Sequence, residues 1–368
     1  MRVTALSASH FRNLREVHIR PVEGVNLFCG ANAQGKTNLL EALWLFTGGR
    51  SFRGAKDSEM VAFNEEQAAL TLDFFAAGRE QKAEITLSPR RSATLNGVKQ
   101  SSAAKLAGRC PGIVFSPVHL SLIKDGPDNR RRFLDAAYCQ LRPSYVGALT
   151  AYQRTLTQRN TLLRDMRREP LPGQEELVEV FDSQLALAGA RLVRVRGAYL
   201  AHLTPYAEEI YGGLSQQTER LGLTYIVSGG IPCDAPAEEV RERLEKALAA
   251  ARSADLAAGF STVGPHRDDF EVTINGLSAR VYGSQGQQRS AVLALKLAEA
   301  AVLREVAEEA PMALLDDVMS ELDERRQDYL LNHLTNGQVF ITCCEPSSVM
   351  RLAGGARFRV EQGQITKD

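Results

Sequence analysis

The stretch VNLFCGANAQGKTNLLEALWLFTGG, residues 25–49, decides the fold. A short apolar strand pattern runs straight into GANAQGKT, residues 30–37, which fits GxxxxGK[ST]. An apolar-striped helix pattern follows, with Leu39, Leu40, Leu43 and Leu45 on helical spacing and Gly48–Gly49 as a stop. A glycine-rich loop between a strand and a helix leaves backbone N–H groups and the positive end of the helix dipole facing one point, where an anion binds. A chance match of this length is expected in about one chain in a hundred of this size, and the flanking elements make it rarer. The phosphate-contacting set expected here is Gly30, Asn32, Ala33, Gln34, Gly35, Lys36, Thr37 and Asn38. Lys36 would reach the β- and γ-phosphate oxygens of ATP, and Thr37 would ligate Mg²⁺.

Such a loop needs a carboxylate at the end of a neighbouring strand. MALLDD, residues 312–317, supplies one after four apolar residues. Asp316 is expected to hold the magnesium ion, directly or through water. Asp317 would orient or deprotonate an attacking water. Lys36, Asp316 and Asp317 are thus the expected catalytic residues, and Thr37 and Asp316 the expected metal ligands.

Outward from these motifs the chain is 368 residues long, enough for two or three packed domains, with 44% apolar and 24% charged residues. Lys plus Arg and Asp plus Glu both number 44, so net charge excludes no partner. Six cysteines, without CxxC spacing, read as reduced cytosolic thiols and not as metal ligands. The start MRVTALSASHFRNL lacks the apolar region of a signal peptide, and no apolar run reaches transmembrane length. A soluble, cytoplasmic protein that does not enter a membrane is expected.

Strand–loop–helix units occupy both ends of the chain, with Asn96–Gly97 and Asn275–Gly276 as hairpin signals. The middle reads as Arg-rich helices interrupted by one strand, LTYIVS, near 223–228. The expected class is α/β: one P-loop ATPase domain assembled from residues 1–118 and 261–368, with residues 119–260 as an inserted, mainly helical lobe. A second glycine- and glutamine-rich loop, YGSQGQQR at 282–289, opens the helix before MALLDD.

The order GANAQGKT, YGSQGQQR, LLDDVMSELD resembles the ATP-binding cassette superfamily and, within it, the SMC-like heads. FRNL (11–14), VFSPVHLSLIKDGPDNRRRFLD (114–135) and GPHRDDFEVTINGLSARVYGSQGQQR (264–289) narrow the resemblance to the RecF family of bacterial recombination mediators. That resemblance implies an ATP-dependent homodimer in which Ser284, Gly286 and Gln287 close over ATP held by a second copy. It places Asp323 on the loop crossing that interface and Arg12 against a phosphate, though Arg12 also reads as an ordinary surface arginine. It implies weak, DNA-stimulated ATP hydrolysis on double-stranded DNA near single-strand gaps. RecR and RecO are the implied partners, with RecA loaded indirectly. The chain departs from the superfamily in having Asp317 where Glu is usual and Thr342–Cys343 where a switch histidine is usual. No glutamine near 110–120 stands out as the usual active-site glutamine.

Between residues 121 and 168 there are ten Lys or Arg against four Asp or Glu. Arg130, Arg131, Arg132, Arg164, Arg167 and Arg168 are the candidate DNA contacts, by charge and without base reading. The alternative is a solvated or salt-bridged helical face. His266 and Asp268, in GPHRDD, read either as an acid–base pair or as a structural hydrogen-bond node. A membrane-transporter ATPase subunit is the competing functional reading. A structural SMC protein would need long heptad arms that this chain lacks. Replacing Lys36 with Met is expected to abolish ATP binding in an equilibrium titration; retained affinity would remove the loop from nucleotide binding.

Overall fold

The computed structural model describes residues 1–88, 90–344 and 355–368. Its central sheet has six strands in the order Gln364–Lys367, Gly355–Glu361, Val25–Cys29, Val339–Cys343, Met312–Asp316, Gly112–Phe115. All neighbours run parallel except the outermost pair. Parallel strands are covered on both faces, which is why VNLFC, VFITC and MALLD are buried along their whole length.

Successive residues on these strands serve opposite faces. Leu27, Cys29, Phe115, Leu315, Ile341 and Cys343 belong to a core shared with the helical elements. Phe28, Val114, Leu314 and Phe340 belong to a core shared with the P-loop helix Lys36–Leu45 and a second sheet. Phe28 stacks on Phe358, with ring centroids 4.8 Å apart, directly below the loop that begins at Gly30. The second sheet is antiparallel, in the order Leu14–Ile19, Arg2–Phe11, Ala68–Ala76, Arg79–Ser88, Arg90–Leu95, Val98–Lys99. Asn96 and Gly97 both have positive φ, 50° and 78°, the backbone a tight hairpin demands.

The middle of the chain is helical, as Pro127–Leu141, Tyr145–Arg168, Gln174–Ser215 and Ala237–Ala258. Gln174–Ser215 runs 42 residues, unbroken by Gly189, Gly197, Pro205 or Gly212. Two of the glycines serve packing: a Cβ on Gly197 would lie 2.6 Å from Cys233 Sγ, and one on Gly189 3.2 Å from Pro265. The boundary drawn at residue 260 divides connected structure. Strand Leu221–Ile226 pairs with Asp269–Ile274, and helix Gln285–Ala307 shares one core with Gln174–Ser215. The C-terminal hairpin Gly355–Glu361/Gln364–Lys367 was not read from the sequence. No helix among the described residues is long and apolar enough to cross a membrane.

Arg159 holds the distal end of the helical region. It is fully buried; its Nε donates to Asp182 (2.7 Å) and its Nη1 to Asp255 (2.6 Å) and to Ser261 Oγ (2.8 Å). It thereby joins three helices through charges that have no solvent to fall back on. Arg159→Ala is expected to cost about 3–5 kcal/mol in urea denaturation; a loss below about 1 kcal/mol would mean that apolar packing alone holds these helices.

Candidate active site

The loop between Cys29 and Lys36 is shaped by its contacts. Ala33 and Gly35 both take positive φ, 63° and 115°, which turns successive N–H groups toward one side. Gly35 is the N-cap of the P-loop helix and no side chain caps that end, so its first N–H groups are left to another acceptor. Gly30 passes so close to the neighbouring strand that a Cβ would lie 2.1 Å from the Val360 carbonyl. Gln34 is tied from outside: its carbonyl accepts from Gly363 N–H (2.9 Å) and its Oε1 from Gln362 N–H (2.6 Å). Asn38 donates to Asn13 Oδ1 (2.8 Å), and Cys344 Sγ donates to Asn32 Oδ1 (2.9 Å).

Lys36 Nζ folds back onto the loop and donates to the carbonyls of Gly30 (2.6 Å) and Ala31 (2.9 Å). Thr37 Oγ1 donates to Asp316 Oδ1 (2.8 Å), which also accepts from Thr342 Oγ1 (3.0 Å). Burial pushes the Asp316 carboxyl above its usual range, and the two hydroxyl donors pull it back. Thr342 in turn accepts the Asp317 N–H (2.9 Å). Asp317 sits just past the strand with φ 53°, which turns its half-buried side chain off the strand direction. Thr37 and Asp316 are hard oxygen donors and fit Mg²⁺. In nucleotide sites that ion takes one or two protein oxygens and completes its shell with phosphates and water. No cluster of three metal-binding side chains exists among the described residues, and such a site needs none.

Arg12 does not lie free. Its Nε and Nη2 donate to the fully buried Glu41 (3.0 and 3.1 Å) and its Nη1 to the Glu59 carbonyl (3.0 Å). The second glycine-rich loop, YGSQGQQR at 282–289 and hereafter the signature loop, is built differently. Ser284 is the exposed N-cap of helix Gln285–Ala307: its Oγ accepts from Gln287 N–H (3.2 Å) while Gln287 Oε1 accepts from Ser284 N–H (2.7 Å). This capping box leaves the Ser284 hydroxyl proton available to an acceptor. Gly286 O accepts from Arg326 Nη2 (3.2 Å), and Arg326 also pairs with Asp323, which caps helix Glu324–Leu334. Arg289 donates to the Glu321 carbonyl (2.8 Å). The signature loop and the segment after Asp317 are therefore locked together. Among the described residues no hydrogen bond joins the signature loop to the P-loop.

The arginine block divides into two groups. Arg130 is withdrawn from the DNA-contacting set: it is buried, grips Asp269 (2.6 and 2.8 Å) and donates to the carbonyls of Leu122, Ile123 and Asp125. Arg131 is withdrawn with it, its guanidinium spent on Asp128 and the Asp268 carbonyl. Arg132, Arg164, Arg167 and Arg168 are exposed and enter no ion pair among the described residues. His266 and Asp268 do not touch each other. His266 Nε2 donates to the Ser261 carbonyl (3.0 Å) and Nδ1 accepts from Tyr152 (2.7 Å), while Asp268 accepts from Tyr225 (2.7 Å) and Ser228 N–H (2.8 Å). Burial lowers His266 to about 4, so it stays neutral in this structural node. Sequence reasoning missed Glu41 and the anchoring of Gln34, and named Thr342 only as the occupant of a histidine's place.

Comparison with known proteins places this geometry. The model for the RecF/RecN/SMC N terminal domain matches residues 2–366. The chain is 41% identical to the DNA replication and repair protein RecF of Heliobacterium modesticaldum, covering 100% of this chain and 99% of that one. It is 39% identical to the same protein of Caldanaerobacter subterraneus, with 100% of both covered. Among solved structures it is similar to the recombination mediator protein RecF in the RecFOR pathway, as RecF-ATPrS (TM-score 0.92, 39% identity, 99% and 97% covered) and as RecF-ATP (0.91, 38%, 100% and 97%). A Pyrococcus furiosus Smc head shares the fold at 15% identity and TM-score 0.54, covering 100% of this chain and 96% of that one. Asp317→Asn is expected to keep ATP binding and to slow single-turnover hydrolysis by about a hundredfold; unchanged turnover would remove Asp317 from the mechanism.

Proposed function

This chain belongs to the RecF family of SMC-like, ATP-binding cassette ATPases, and we propose that it is an ATP-switched DNA-binding protein of recombinational and replication-gap repair. The observation that carries the proposal is the separation of two half-sites. One part of the chain presents a P-loop with its Thr37–Asp316 pair. The other presents an exposed, donor-bearing helix start at Ser284 that, among the described residues, makes no hydrogen bond to that loop. Two copies packed head to tail bring each Ser284, Gly286 and Gln287 to the γ-phosphate on the other copy. Leu277, Val281 and Tyr282, beside that loop, are 60%, 68% and 71% exposed, an apolar patch for a second copy to cover.

In this reading ATP with Mg²⁺ closes the dimer and hydrolysis opens it. Lys36 leaves the Gly30 and Ala31 carbonyls for the phosphates, Thr37 and Asp316 hold the ion, and Asp317 orients the attacking water. Asp317 is shorter than the usual Glu and keeps its carboxylate farther from that water, which fits slow turnover. DNA contact falls to Arg132, Arg164, Arg167 and Arg168; Arg164 and Arg168 lie one turn apart on Tyr145–Arg168. Double-stranded DNA near single-strand gaps is the proposed substrate surface. RecR and RecO are the proposed partners, helping to load RecA. The transporter reading has no observation in its favour.

Light scattering tests the switch. ATP is expected to convert monomer to dimer, and Ser284→Arg to block that conversion; a mass that ATP never changes, with or without duplex DNA, would refute it. Replacing Arg164, Arg167 and Arg168 together by Glu is expected to weaken duplex binding by about tenfold or more and to flatten its salt dependence. An unchanged salt slope would place DNA elsewhere.

A further inference from the structure

Two cysteines meet under the P-loop. Cys29 ends the strand that leads into Gly30, and Cys343 ends the neighbouring parallel strand in register with it. Both side chains point to the same face of the sheet, and their sulfurs are 3.4 Å apart. Neighbouring strands lie about 4.8 Å apart, inside the Cα separation of about 4.4–6.8 Å that a disulfide spans. A cavity of about 420 Å³ lined by Cys29, Gly30, Gln34, Cys344, Arg357 and Arg359 opens beside the pair. Cys29, itself 5% exposed, is thus the member of the pair that borders space a small polar molecule can enter.

We infer that Cys29 and Cys343 form an oxidisable dithiol site that takes a hydroperoxide as co-substrate and, once joined, weakens nucleotide binding at the P-loop. The second half of the inference rests on the reading of that loop as the ATP site. Cys29 is the attacking sulfur: it is the member of the pair that lines the cavity, and its contact with Cys343 and the nearby Arg357 guanidinium lower its thiol to about 7, while Cys343 is pushed up. Among the described residues, the other charged or titratable groups facing the pair are Lys36, Cys344 and Asp368. The Cys29 thiolate attacks one peroxide oxygen, the O–O bond breaks, and a sulfenic acid and hydroxide form. Cys343 then attacks that sulfur, the S–O bond breaks, and water leaves. Two thiols lose two electrons, and hydrogen peroxide is reduced to two waters.

Closing the bond draws the sulfurs together by roughly 1.4 Å. Gly30 follows Cys29 directly and its own N–H donates to the Cys343 carbonyl (3.4 Å), so it moves with the pair. Lys36 is anchored on the Gly30 and Ala31 carbonyls, so the shift reaches the phosphate-binding lysine.

The experiment uses the full-length chain, reduced and then treated with hydrogen peroxide. Peptides are mapped by mass spectrometry without reduction, and ATP affinity is titrated in parallel. A Cys29–Cys343 linked peptide, about 2 Da lighter than the two thiols, is expected, with ATP affinity lowered by about tenfold and restored by dithiothreitol. Cys29→Val and Cys343→Val are expected to keep their affinity in peroxide, and Cys344→Ser to respond as the parent does. Absence of the linked peptide, a linked protein of unchanged affinity, or a response that follows Cys344 would overturn the inference. The cross-link is read by mass alone, so it is judged even if the reduced chain fails to bind ATP, an outcome that would sink the nucleotide reading instead.

Discussion

The Asp316 carboxylate is the constraint on which the rest of the structure depends. It is buried at the end of a strand, where an unpaired charge would cost several kcal/mol, and it is held by the hydroxyls of Thr37 and Thr342. Thr37 is 279 positions away in sequence, so the hydrogen bond requires both ends of the chain to share one sheet. Strands Val25–Cys29, Val339–Cys343 and Met312–Asp316 stand side by side, and their ends present loop, threonine and carboxylate at one edge. The same hydroxyl of Thr342 takes the Asp317 N–H, and so fixes the backbone just past the strand.

The two faces of that sheet divide the labour. The P-loop helix and the antiparallel sheet cover one, and the helical region with the signature helix covers the other. Arg289 and Arg326 bridge the signature helix to the segment that follows Asp317. The two are thus joined by directional hydrogen bonds as well as by the apolar core they share, which restricts sliding between them. A rigid link of this kind is what the proposed switch between an open and a closed dimer would use.

The arginine block illustrates the limit of reading composition. Ten basic residues within 48 positions signal a charged surface, yet Arg130 and Arg159 are spent inside the protein on Asp269, Asp182 and Asp255. Consecutive arginines on a helix point in different directions, so a run such as 130–132 is split between interior and solvent. The cysteines make the converse point. Cys29 and Cys343 are 314 positions apart and carry no spacing motif, and only the register of two parallel strands brings them together.

The sequence by itself determined the α/β class, the P-loop, the acidic strand end and the family. Each rests on residue types at fixed local spacing: a glycine loop between strand and helix, four apolar residues before two aspartates, a serine capping a helix. It also set the strands Val25–Cys29 and Met312–Asp316, because a strand covered on both faces is mostly apolar. Only the tertiary structure decided which arginines face solvent, that His266 and Asp268 bond to different partners, that Thr342 supports both aspartates, and that strand 221–226 pairs across the expected domain boundary. Those outcomes depend on which side chains meet across long stretches of chain. Burial, register and the need of each buried charge for a partner settle that, and none of them has a local pattern in sequence.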